Sequence, residues 1–301
     1  IKAHSASDSS ALVILSGATY DLQDSVSTGG LSGAGSLLLN SNGFRTGTLS
    51  QVDTFSGTIS GSGNFTKAGT GVLVLTGTVS YSGTTTIDTG GLTVIQDNPV
   101  LSTSGISGSG SFAFQPQSKS FSSDVSWNVP MANSLTGLTI GKDSNMVAIT
   151  LTPLISISGP VTLYGSSLTF TGGLYAPTDT VRLHATSTVS QTGGLKAGAL
   201  ALFGPASYTL THTSNAIGII AGGDSLNKIG ALALVDSSGG LTIGEINPKG
   251  INSTGSVRIE TLEGDINLLE NVITCEETDS ALVINAGKSS MIGEAFGGNL
   301  L

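Results

Sequence analysis

Short runs in which a large aliphatic residue alternates with Thr, Ala, Ser or a charge recur along the chain. Val72-Leu73-Val74-Leu75, Leu92-Thr93-Val94-Ile95, Val161-Thr162-Leu163, Val181-Arg182-Leu183, Leu200-Ala201-Leu202-Phe203, Leu232-Ala233-Leu234-Val235 and Val257-Arg258-Ile259 are examples. Each spans three to five residues and has the period of two expected of a strand with one face in a core. Between residues 138 and 282 they recur about every 11 positions. No stretch of 12 residues carries the apolar stripe of an amphipathic helix.

The punctuation between these runs repeats too. Leu31–Leu37 (LSGAGSL), Ile59–Phe65 (ISGSGNF) and Ile106–Phe112 (ISGSGSF) share one pattern, apolar-Ser-Gly-small-Gly-polar-apolar, with starts 28 and 47 residues apart. Gly-Gly-Leu begins at Gly29, Gly90, Gly172, Gly193 and Gly239. These separations approach multiples of a unit slightly above 20 residues, the signature of a solenoid whose insertions fall in turns. Two architectures fit such strands, a β-sandwich array and a parallel β-helix. Asn-Gly or Asp-Gly, the dipeptides of tight hairpins, occur only once, at Asn42-Gly43, which favours the β-helix. So does the rarity of large aromatics, Trp127 being the only Trp. The expected fold is an all-β parallel β-helix of roughly 13 rungs, a rod about 60–65 Å long at the usual strand spacing. Residues 1–301 read as one continuous β-helix. A possible seam at 115–134, read as a long corner loop because its alternation is poor and it holds Pro116 and Pro130, separates 1–114 from 135–301.

Composition narrows the class. Of 301 residues, 43 are Gly, 44 Ser and 36 Thr, yet mean hydropathy is +0.27, which excludes a disordered low-complexity chain. The net charge of −9 is concentrated after residue 240, and no basic patch exists, which argues against nucleic acid as a partner. No apolar run approaches the ~20 residues that span a bilayer, so no membrane insertion is expected of this segment. One cysteine, Cys275, permits neither an intramolecular disulfide nor a cysteine zinc site. A large chain with so little cysteine suits a bacterial surface better than a eukaryotic secretory route. The chain begins at Ile1 without Met or a leader and stops in Gly297-Gly298-Asn299-Leu300-Leu301, so it reads as a processed chain or an excerpt of a longer one.

Residues 55–95 resemble the autotransporter-associated β-strand repeat; Lys67, Gly69, Gly71, Tyr81, Gly83, Thr85, Gly90 and Leu92 fall on its motif. Residues 187–301 are similar to the repeats of filamentous-haemagglutinin-like adhesins, in stretches such as VSQTGGLKAGALALFG and GSVRIETLEGDINLLENVIT. These resemblances imply a right-handed β-helix forming the exposed stalk of a secreted or surface-anchored protein of Gram-negative bacteria. An outer-membrane barrel and a secretion domain are not recognisable in the chain.

No residue is assigned a catalytic, cofactor-binding or metal-binding role. The Asn-Thr-Asp, Asp-Asp and Gly-His-Gly motifs of pectin-type hydrolases on this scaffold are missing. His4, His184 and His212 are isolated, with His184 pointing outward if Val181 and Leu183 point in. Cys275, beside Glu276 and Glu277, reads as a buried or semi-buried structural thiol of raised pKa. Gly61-Ser62-Gly63 reads as a corner, since no Lys-Ser/Thr and no helix follow it as in a phosphate loop. The run Glu263, Asp265, Glu270, Glu276, Glu277 and Asp279 reads as a solvated acidic face, with calcium as the alternative. The triplet Thr84-Thr85-Thr86 invites comparison with an ice-binding ladder, although no regular Thr-x-Thr array surrounds it. The functional expectation is an extracellular stalk or filament segment of a large bacterial surface adhesin, not an enzyme. It would contact surface glycans or other extracellular polymers and associate end to end with copies of itself or with a longer chain. The alternative is a polysaccharide-degrading enzyme, for which Asp88, Asp97, Asp143 and Asp179 would have to converge in one groove.

Overall fold

The computed structural model describes residues 2–3, 7–98, 101–237, 239–276, 281–287 and 292–294. Every regular element among them is a β-strand, and parallel ladders stack the strands into a β-solenoid of about 13 turns. Ladder partners lie about 20 residues apart and run in the same direction, which excludes an array of hairpin-built sandwiches. The chain divides into two compact units, 1–125 with 129–142 and 126–128 with 143–301.

In the first unit each turn visits three faces in fixed order. One face carries Ala11–Ile14, Gly30–Gly33, Asp53–Phe55, Val72–Leu75, Gly91–Ile95, Ser111–Gln115 and Gly137–Ile140. The second carries Thr19–Leu22, Ser36–Leu38, Thr58–Gly61 and Val79–Tyr81. The third carries Val26–Thr28, Phe44–Thr46, Phe65–Lys67, Thr85–Ile87 and Ile106–Gly108. Register aligns like with like. Leu73, Leu92, Phe112 and Leu138 form one interior column, and Phe55, Leu75, Val94, Phe114 and Ile140 its neighbour. All are buried, and each such side chain contributes roughly 1.5–3 kcal/mol of transfer free energy.

The repeated heptapeptide is a corner. Leu31–Leu37 leads from the first face to the second, Ile59–Phe65 from the second to the third, and Ile106–Phe112 from the third back to the first. Its copies therefore lie whole turns plus one corner apart, which explains starts separated by 28 and 47 residues. The first glycine of each copy, Gly33, Gly61 and Gly108, has φ of 104°, 115° and 112°, a region closed to most L side chains. A Cβ there would also stand closer than 3.0 Å to the backbone of Ile14, Asn40 or Ile87 on the preceding turn.

The seam region is mostly loop and contains one short strand. Within 115–134, Val125–Trp127 is a strand, and Val125, Trp127, Val129 and Met131 are buried while Ser126, Asn128 and Pro130 are exposed. The alternation is present but passes through Asn and Pro, residues that are depleted in strands and mask it in sequence.

In the second unit several strands run through the corners. Val161–Phe170, Leu174–Gln191 and Leu195–Phe203 have 10, 18 and 9 residues, longer than the three to five read from the alternation. Register shifts at Gly165/Ser167 and Ala176/Thr180 absorb the bends. Val161, Val181, Leu200, Ile220, Ile243 and Leu268 form one interior column, with Leu163, Leu183 and Leu202 beside it. Where backbone amides at corners lack ladder partners, buried polar side chains supply them. Asn215 accepts from Leu195 N at 2.8 Å and donates to the carbonyls of Leu210 and Val235 at 2.9 and 3.0 Å. No helix among the described residues is long and apolar enough to cross a membrane.

Candidate ligand-binding groove

A concavity lined by aromatic rings lies on the outside of the second unit. Because Leu163, Leu183 and Leu202 point inward, the residues that follow them point outward. These are Tyr164, His184 and Phe203, paired in register on three successive turns. Their rings stack. Tyr164 and His184 have centroids 4.3 Å apart with planes inclined by 28°, and His184 and Phe203 are also 4.3 Å apart and nearly parallel at 4°. Beside them opens a cavity of about 330 Å³, bounded by Asp143 and Asn145 at the Tyr164 end and by Gly223, Asp224, Asn227 and Pro248 at the Phe203 end.

The walls are held from behind. Asn145, only 5% exposed, donates from Nδ2 to the Tyr164 carbonyl at 2.7 Å. Asp224 Oδ1 accepts the amide N–H groups of Leu226 and Asn227 at 2.8 and 2.7 Å, so its carboxylate anchors the turn that faces Phe203. Those amides hold the Asp224 carboxyl below the usual carboxylate range. Burial pushes the His184 imidazole below its ordinary value; the Asp143 carboxylate opposes the shift and Arg182 adds to it. His184 is therefore neutral at pH 7. Burial raises the Tyr164 phenol, and Asp143 raises it further against a smaller opposing effect of Arg182. The groove thus combines a neutral ring stack, two carboxylates and two carboxamides, and no cation lines it.

The remaining sequence candidates are dispersed. Asp88 pairs with Arg45 at 3.1 Å, Asp97 anchors Ser118 through its amide and hydroxyl at 2.7 and 2.9 Å, and Asp179 accepts the Thr180 amide. Of the four aspartates only Asp143 lines the groove. His212 Nδ1 meets Ser214 Oγ at 2.8 Å within a turn, and His4 lies outside the described residues. Cys275 is exposed, not buried, with Lys228 Nζ at 2.8 Å from its sulfur, and follows the strand Val272–Thr274. Glu277 and Asp279 lie outside the described residues, and no group of three or more potential ligands is gathered for a metal among the residues described. Thr85 is buried against Tyr81 Oη at 2.7 Å and Thr103 Oγ1 at 2.9 Å, so Thr84, Thr85 and Thr86 do not share an exposed face.

His184 was visible as an outward residue; its partners were not singled out. The signal lay in three pentapeptides, VTLYG, VRLHA and LALFG, spaced 20 and 19 residues apart and sharing apolar-x-Leu-ring-small. Aligned one turn apart, they superimpose the three rings. No family model, no curated protein and no solved structure matches the chain.

Proposed function

We propose that this protein is a stalk or filament segment of a large extracellular adhesin of the Gram-negative bacterial surface, and that its lateral face engages glycans or similar polymers. The observation that supports this reading is the in-register aliphatic columns of a parallel solenoid, which build length from small residues without disulfides. The likeness of 55–95 to an autotransporter repeat points the same way, and Lys67, Tyr81 and Thr85 of that motif are buried interior residues here. Strand edges left open at a solenoid end would be covered by end-to-end association or by continuation within a longer chain. Electron microscopy of the purified chain, combined with retention of protein-coated beads on bacterial or host cell surfaces, tests the reading. Rods or fibres that retain beads are expected; globular particles that retain none, or release of new reducing ends from polysaccharides, would overturn it in favour of an unrelated role or of the depolymerising enzyme.

A further inference from the structure

The ring column ends at Phe203, and the cavity beside it has the size of a ligand site. The ladder pairs Leu202 with Gly222 and ends there; Gly223, with φ of 65°, follows and lines the cavity beside Phe203. At 4.3 Å the rings cover one another, and no ligand ring enters between them. His184 covers one face of Phe203; the other looks toward the Gly223 turn, where the cavity lies. At the opposite end, Asp143 and Asn145 occupy the space beyond Tyr164. The slot beside Phe203 is walled by Asp224, Asn227 and Pro248, and the same cavity continues along His184 and Tyr164.

The chemistry of the walls selects the occupant. The face of Phe203 carries the negative side of the ring quadrupole and favours polarised C–H groups above it. Asp224 Oδ1 is engaged with its own turn, while Oδ2 has only the Asn227 side chain at 3.3 Å and keeps acceptor capacity. Asp143 adds a second carboxylate that has no cation at ion-pair distance among the described residues. A pyranose ring offers what these walls lack, an apolar C–H face and a rim of hydroxyl donors. A uronate or sialylated sugar would bring a third negative charge into a groove lined by no cation. The cavity of about 330 Å³ falls at the small end of the range for ligand sites, roughly 300–1,000 Å³, and suits one or two sugar units.

We propose that the groove binds an uncharged saccharide, one pyranose ring of which stacks on Phe203 and donates hydroxyl hydrogen bonds to Asp224. This rests on the adhesin reading for its biological setting and names the polymer class that the lateral face takes.

The test is calorimetric titration of the full chain with neutral trisaccharides (cellotriose, maltotriose and mannotriose), with trigalacturonate as the anionic control and tyramine as a cationic aromatic control. Binding of at least one neutral trisaccharide with a Kd of about 1 mM is expected, as is right for one stacked ring and a few hydrogen bonds. Phe203→Leu, which keeps an apolar side chain on the sheet, should weaken it about tenfold. Asp224→Asn, which keeps the Oδ1 acceptor of the turn, should also weaken it, and both variants should melt within a few degrees of the parent. A variant that loses its melting transition is replaced by Asn227→Phe, which places a ring in the slot and should abolish binding without touching the stack. No binding of any neutral trisaccharide at 10 mM (about ten times that Kd), equal affinity in Phe203→Leu, or preference for trigalacturonate or tyramine would overturn the proposal. Bead retention unchanged by Phe203→Leu would reject this site and leave the adhesin reading standing; saccharide binding without retention would do the reverse.

Discussion

Asp236 accepts the backbone N–H of Ile217 at 2.8 Å, one turn further on from the point where Asn215 accepts that of Leu195 at the same distance. Both side chains are fully buried. At this corner of the second unit the chain turns too sharply for the ladder to satisfy every amide, and a side-chain oxygen takes the place of a carbonyl. Asp236→Ala would leave that amide unsatisfied in the core and should cost about 2 kcal/mol. Asp236→Asn keeps an acceptor of the kind Asn215 supplies and should cost less than about 1 kcal/mol. Urea unfolding of the two variants measures the contrast; equal losses would mean that the carboxylate acts by its charge.

The corner heptapeptides make a second contrast. Gly33→Ala, Gly61→Ala and Gly108→Ala each combine a φ near 110° with a Cβ thrust into the backbone of the previous turn. Each should destabilise by about 3 kcal/mol or more, since the turns cannot separate without breaking the ladder. Gly17 also has a positive φ, 80°, but nothing lies within 4 Å of its Cβ position. Gly17→Ala should cost only about 1 kcal/mol, the conformational strain alone. A thermal-shift comparison of the four variants tests the ordering, and a Gly17→Ala as damaging as the others would show that strain, not contact, dominates the corners.

Those corners also show what the sequence made legible. The alternation in Val72–Leu75 or Leu200–Phe203 is enough to predict which side chains face inward, because a strand allows only two faces. The heptapeptide announces a turn, but not which turn: a corner obeys the same steric rule wherever it falls, so its copies mark all three corners and their spacing departs from the rung length. Val125, Trp127, Val129 and Met131 alternate as well as any strand, yet the intervening Asn128 and Pro130 point to a loop on propensity alone. The ring column was legible in principle through VTLYG, VRLHA and LALFG. The groove beside it was not, because Asp143, Asp224 and Pro248 reach it from loops whose paths no periodicity governs.

The interior lysine of the first unit yields a third prediction. Lys67 occupies an inward position of the column Thr28, Thr46, Lys67, Ile87 and is 1% exposed. Its ammonium donates to the carbonyls of Ala68, Gly69 and Gly71 at 2.8, 3.0 and 2.7 Å, gathering the oxygens of one glycine-rich corner. Burial lowers its pKa, with Asp53 and Asp88 opposing the shift. Lys67→Met fills the volume but strands these carbonyls and that of Thr89, 3.4 Å from the ammonium, and should destabilise by about 2 kcal/mol despite removing a buried charge. A variant as stable as the parent in urea would show that water replaces the ammonium at that corner.

The ring column carries a fourth prediction, because His184 is both a stacking ring and the titratable group within it. Its folded value lies below the ordinary imidazole value of about 6.5 through burial. Between the two values the unfolded chain binds more protons than the folded one, so stability rises with pH across that window. The stabilisation is whole above about pH 6.5 and is lost as the pH falls through the folded value, when the imidazolium must sit between Tyr164 and Phe203. The carboxylates held low by hydrogen bonds, Asp97 and Asp224, act in the same sense but only below about pH 4, so the two windows separate. His184→Phe retains a ring at the same position and removes the proton. Melting temperatures of parent and variant should agree at pH 7.5, and on lowering the pH to 5 the parent should lose more than the variant. Parallel losses in the two proteins would place the acid sensitivity outside the ring column.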